Sequence, residues 1–150
     1  MKGINMMGEE KKRLDQLIFP NNIQYHQEHI WTEVKEEEVI IGISDFAQDQ
    51  LGEIVFLELP GVGDRFGKGE VFGQAESAKS VSALYMPVSG EILAVNEHVA
   101  DSPELANKDP YGSGWLVAVQ PDDLTELQEL LSKEEYIRFL QESQDVHFKF

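Results

Sequence analysis

Apolar stretches in this chain are short, and glycine, proline or a polar cluster ends each before it could become a long helix. From Tyr25 onward, Val39–Ile43, Glu53–Leu59, Glu70–Glu76, Lys79–Met86, Glu91–Val95 and Trp115–Gln120 read as strands, with Gly-rich turns over 60–69. Most links between them fall short of the dozen or so residues that a crossover between parallel strands requires. A parallel α/β fold is therefore excluded, and a mainly β fold is expected. One link differs. Ser44 is an N-cap candidate and Gly52 a terminating glycine, so 45–51 predicts a helix of about two turns. The C-terminal stretch changes period, with Leu127, Leu130, Leu131, Ile137 and Leu140 at helical spacing. Thr125-x-x-Gln128 and Ser132-x-x-Glu135 both match a capping box, which predicts two short helices with a break near Ser132. Their apolar stripe packs on the β core or, on the other reading, meets a partner.

Gly52-Glu53-Ile54-Val55 recurs as Gly90-Glu91-Ile92-Leu93. Two similar β halves would place their junction in Glu70–Met86, with a residue presented outward at a hairpin tip. Ahead of the strands, residues 1–24 read as an N-terminal extension, frayed, with Pro20-Asn21-Asn22 as a turn signal. Charges interrupt it before any apolar core of a secretory signal forms, and a cytoplasmic chain is expected.

Charge excludes whole classes of partner. The 150 residues hold 12 Lys+Arg against 28 Asp+Glu, a net of −16. Residues 1–24 carry +1 of this and the remainder −17. Nucleic-acid binding needs a basic footprint to displace counterions, and anionic membranes repel such a chain. Runs such as Val39–Ile43 and Trp115–Val119 are too short to span a bilayer. An acidic domain of this kind stays soluble, or is steered to basic partner surfaces. The absence of cysteine removes disulfides, thiol nucleophiles and thiolate metal sites together.

Catalytic signatures fail in turn. Gly61-Val62-Gly63 is followed by Phe66 where a dinucleotide fingerprint needs its third glycine, and Gly67-Lys68-Gly69 lacks the spacing of a phosphate loop. Ser113, between Gly112 and Gly114, has no nucleophile-elbow context. His26 and His29, with Glu28 between them, share a helical face if that segment is helical, but no third metal ligand lies nearby, so a surface or packing role is expected. Glu36-Glu37-Glu38 reads as a solvated turn. The chain lacks an enzyme's equipment.

Lys79 stands out instead. It lies in Glu76-Ser77-Ala78-Lys79-Ser80-Val81-Ser82, between two strand-like runs and among small residues that leave an amine open to another protein's active site. Acylation would remove its charge. An exposed turn lysine is ordinarily just solvated, and an unmodified acidic binding module is the reading that follows from that.

The surrounding residues carry a resemblance. Gly73-Gln74-Ala75-Glu76-Ser77-Ala78-Lys79, then Pro87-Val88-Ser89-Gly90-Glu91 and Val95-Asn96, resemble the H protein of the glycine cleavage system, a family of lipoyl carriers. So do Gly42–Gln48, Leu51–Phe56, Leu59-Pro60, Pro110-Tyr111-Gly112 and Gly114-Trp115, and the likeness runs from Tyr25 to about Glu142. It implies a barrel-sandwich hybrid, a lipoyl/biotinyl-like β sandwich, formed by residues 25–150, with Lys79 at a hairpin tip. It implies lipoic acid in amide linkage to Lys79 and no catalytic or metal-binding residues. It further implies a shuttle that takes an aminomethyl group from the pyridoxal-phosphate-dependent glycine decarboxylase to the tetrahydrofolate-dependent aminomethyltransferase. Dihydrolipoyl dehydrogenase would reoxidise the arm, and lipoylating enzymes complete the implied partners.

Two positions depart from the family. It usually has an acid between the His and Trp of its first motif, where this chain has His29-Ile30-Trp31. After the lipoyl lysine it commonly has Ser-Asp, where this chain has Ser82-Ala83. Carboxylates there would pair with a cationic amine, and Glu28 is the nearest substitute. Ile30 and Ala83 motivate an alternative: an H-like paralogue carrying lipoate for another pathway, such as lipoyl relay to 2-oxoacid dehydrogenases or carriage of sulfur intermediates.

Overall fold

The computed structural model describes residues 11–148, with side chains through Ser143. Strands β1 (Gln24–Tyr25), β2 (Ile30–Lys35) and β3 (Glu38–Ile43) lead into helix α1 (Asp45–Leu51). Then come β4 (Ile54–Glu58), β5 (Arg65–Phe66), β6 (Val71–Ser77), β7 (Val81–Tyr85) and β8 (Gly90–Val95). Helices α2 (Glu97–Asp101) and α3 (Leu105–Lys108) precede β9 (Val117–Pro121), and α4 (Lys133–Phe148) follows it. The six-stranded sheet runs β1-β2-β3-β9-β8-β5 and the three-stranded sheet β4-β6-β7. Every strand pair is antiparallel. The mainly β fold expected from the short connections, and the β sandwich that the resemblance implies, are what is observed.

Each copy of the Gly-Glu-Ile repeat starts a strand in a different sheet, β4 in one and β8 in the other. Ile54 and Ile92 are both buried. They join Ile41, Ile43, Phe72, Ala75, Leu84 and Val119 in the main core.

Three expectations need correction. The capping box at Ser132 forms: Ser132 N–H donates to Glu135 at 2.8 Å and Glu135 N–H to Ser132 Oγ at 3.2 Å. The helix behind it is long, however, not short. The one expected at Thr125 is a 3-10 segment, Leu124–Glu129, capped by Asp123, whose carboxylate accepts from Thr125 N–H and Oγ1. An Asp two residues ahead of the first free N–H satisfies it more directly than the threonine could. The apolar stripe packs inward, with Leu130 and Leu140 buried.

The frayed extension is packed from Lys11 onward. Leu17, Phe19 and Ile23 are buried with Tyr25, Trp31, Tyr136 and Leu140 in a second core. In that cluster the Tyr25 and Tyr136 rings stack at 4.6 Å, and Phe19 meets Tyr136 edge-on at 5.8 Å. Apolar burial orders this segment even though its charged residues read as an extension. His26 and His29 lie in the turn between β1 and β2, not on a helix: His26 N–H donates to Ile30 O at 2.8 Å and His29 N–H to His26 O at 2.9 Å.

Candidate functional site

Strands β6 and β7 form a hairpin whose tip is Ala78-Lys79. The turn closes by Ser77 N–H donating to Ser80 O at 2.9 Å. Ser77 Oγ then accepts from the N–H groups of Ser80 at 3.3 Å and Lys79 at 3.4 Å, a side chain standing in for a backbone acceptor. Ala78, Lys79 and Ser80 are exposed. At the hairpin's base, a Cβ on Gly73 would sit 2.1 Å from Glu58 O, so only glycine lets β4 approach β6 this closely.

Beside the tip lies a cleft of about 410 Å³. One wall is Ser80–Leu84, the residues immediately after Lys79. The other is Glu28, His29 and Ile30, with Ile43 and the α1 residues Phe46, Ala47, Gln50 and Leu51. Its lining is largely apolar, and Glu28 is its single acid. Ile30 and Ala83, distant in sequence, meet on this cleft. A second hollow of about 370 Å³ borders the end of α1, where Asn107 is committed to structure: it donates to Gln48 and Gly52 O and accepts from Ile54 N–H.

The α1 wall is fixed from several directions. Ser44 Oγ caps the helix, accepting from Ala47 N–H at 3.1 Å. It also shares a 2.8 Å hydrogen bond with the Tyr136 hydroxyl, which lies 2.9 Å from His29 Nδ1. Burial pushes His29 down to about 4 from an ordinary 6.5, with His26 adding to the effect, so the imidazole is neutral near pH 7. Burial likewise raises the Tyr136 hydroxyl, which keeps its proton. Ahead of the helix, Lys11 Nζ donates to Asp49 O and Gln50 O at 2.9 and 3.0 Å, and Ile18 N–H to Asp45 at 2.8 Å. Sequence reasoning missed His29 as a cleft residue, because its partner Tyr136 is 107 positions away.

The sequence model of "Glycine cleavage H-protein" matches residues 23–143. The chain belongs to that family. It is 51% identical over 125 residues to the glycine cleavage system H protein of Carboxydothermus hydrogenoformans, covering 83% of this chain and 96% of that one. Against the H protein of Halalkalibacterium halodurans the identity is 48%, covering 82% and 96%. The crystal structure of an H protein from Mycobacterium marinum superposes with a TM-score of 0.74 at 39% identity, over 79% of this chain and 95% of that one.

Among the described residues no group of three or more His, Asp or Glu could hold a metal ion. No described helix is long and apolar enough to cross a membrane.

Proposed function

We propose that Lys79 carries a lipoyl group in amide linkage. In this reading the chain shuttles the aminomethyl group of glycine from glycine decarboxylase to the aminomethyltransferase, in the cytoplasm. Residues 25–150 are the carrier domain and residues 1–24 an appended extension, of which 11–24 pack on the body. The chain is the substrate of those enzymes, of dihydrolipoyl dehydrogenase and of its lipoylating enzymes, and not itself a catalyst.

The observation that carries this reading is an exposed lysine on a tight two-stranded tip whose next residues line a cleft. The residues present fit the group. Lys79 is exposed among small neighbours, where an acyl-transferring enzyme can reach it, and a largely apolar cleft of about 410 Å³ adjoins it. When bound, the lipoyl group supplies a reducible disulfide that takes up and releases a one-carbon amine. Everything else falls to the chain. Ile30, Phe46, Leu51 and Leu84 line the cleft with apolar surface on which the group's hydrocarbon chain would pack. Glu28 offers the carboxylate for a cationic amine, a charge-assisted hydrogen bond. His29, held neutral, adds no repelling positive charge.

Ile30 and Ala83 are the observations that favour a paralogue with another task; the relatives at about half identity favour the shuttle. One experiment separates the two. The lipoylated protein is charged with labelled glycine by the decarboxylase, and label loss is followed without folate. Slow loss, hastened by Glu28→Gln, is expected. Rapid loss, cured by Ile30→Glu with Ala83→Asp, would contradict the shuttle.

A further inference from the structure

Two neighbouring side chains on the edge strand β4 break the alternation of its sheet. Val55 is 56% exposed and Phe56 50%, while Ile54 and Leu57 on either side are buried. Successive strand residues point to opposite faces, so an in-out-out-in sequence needs an extra residue. The ladder contains one: Ile54 lies opposite Ser77, but Phe56 lies opposite Glu76. Val55 is the added residue of a β-bulge, a device that re-aims side chains. Phe56, Glu76 and Val81 then align across all three strands, and Val81 is 59% exposed. This row sits at the end of the sheet that carries Lys79. Exposed Glu53 and Glu58 edge it.

We propose that Val55, Phe56 and Val81 are the docking patch for the enzyme that acylates Lys79, one presenting an apolar socket edged by Lys or Arg side chains. The inference rests on the carrier reading of Lys79. Reach selects this partner over the others. Acyl transfer brings the lysine nitrogen within bonding distance of the donor's carbonyl carbon, so the enzyme must seat the turn itself, and the adjoining row becomes its contact. Enzymes acting at the far end of a long acyl arm are under no such constraint. In the step, the ammonium gives up one proton and the nitrogen attacks the carbonyl of a lipoyl–adenylate mixed anhydride. The C–N bond forms, the C–O bond to phosphate breaks, and AMP leaves with that electron pair. Loss of a second proton from nitrogen leaves the amide. Phe56 is an aromatic anchor of the kind that dominates interfaces, and the acids at its edge complement a cationic rim.

The test uses the full-length chain with a lipoate–protein ligase, lipoate and ATP. Phe56→Thr and Val55→Thr keep strand-forming residues and leave the arm cleft untouched. The account expects each to raise the KM for the acceptor protein, Phe56→Thr by about ten-fold, the scale of one interface anchor, with turnover at saturation unchanged. Phe56→Tyr stays near wild type. Glu53→Lys with Glu58→Lys, at two exposed positions, raises the same KM. Unchanged KM in the threonine variants and in the double lysine variant, or a fall in turnover alone, overturns the docking patch while leaving the carrier reading standing. A wild-type chain that takes no acyl group contradicts the carrier reading and the patch with it.

Discussion

The two walls of the cleft beside Lys79 are built by opposite means. The α1 wall is held by the Ser44 cap, the buried Tyr136 hydroxyl bridging Ser44 and His29, and the docked segment from Lys11 to Phe19. The β7 wall leaves a turn tied by one backbone bond and by Ser77 contacts of 3.3–3.5 Å. Buried polar networks are demanding, since each unmet partner is costly, and so they hold one geometry. An exposed turn held by long serine contacts is undemanding, and its lysine is exposed. The difference separates a wall held in one geometry from a turn that is only loosely tied.

Changes to the body should therefore cost far more than changes to the tip. The largest effect is expected from Gly73→Ala at the hairpin's base, where the new Cβ meets Glu58 O. Overpacking against backbone predicts a loss of about 3 kcal/mol, read as a lower denaturation midpoint. A small loss would mean that β4 can yield.

The α1 wall is also acid-sensitive. The folded pKa of His29, about 4, lies below its ordinary 6.5. The unfolded chain therefore binds the proton first as pH falls. The stability of the neutral form is complete above about pH 6.5 and is lost as pH falls through 4, by up to ~3 kcal/mol. His29→Asn tolerates the residue's φ of 71° and removes this contribution. Its denaturation midpoint should vary less than that of wild type between about pH 7 and pH 4.5. Parallel profiles would contradict a buried neutral imidazole.

Smaller effects follow. Ser44→Ala removes both a cap and a partner of Tyr136, and should cost about 1–2 kcal/mol in chemical denaturation. Lys11→Met deletes a cation from the C-terminal carbonyls of α1, about 0.5 kcal/mol, visible as faster amide exchange at the helix end. At the tip, Ser80→Ala should stay within about 0.5 kcal/mol and leave acylation intact. A tip change that costs as much as Ser44→Ala would erase the contrast between the walls.

Local signals made much of this molecule legible. Ser44 and Gly52 bracket α1 because capping chemistry is written in adjacent residues, and Gly52 has a positive φ of 80°. Short β-branched runs located most strands. What escaped is what distance hides. The His29–Tyr136 pair and the stack of Tyr25 on Tyr136 join residues more than a hundred positions apart. The bulge at Val55 shows only in strand register, and α2 and α3 are too short to carry a period. Leu17 and Phe19 lie among charged residues, yet fill the second core. The cleft itself was foreshadowed by Ile30 and Ala83, which the sequence offered only as departures from a family pattern.

The most direct test of the central claim is intact-protein mass after expression with lipoate, followed by peptide mapping of the segment around Lys79. The account predicts one lipoyl mass increment, borne by Lys79 and absent from Lys79→Arg. An unmodified Lys79 in cells that lipoylate a control protein, or a lipoyl group still present on Lys79→Arg, would contradict it.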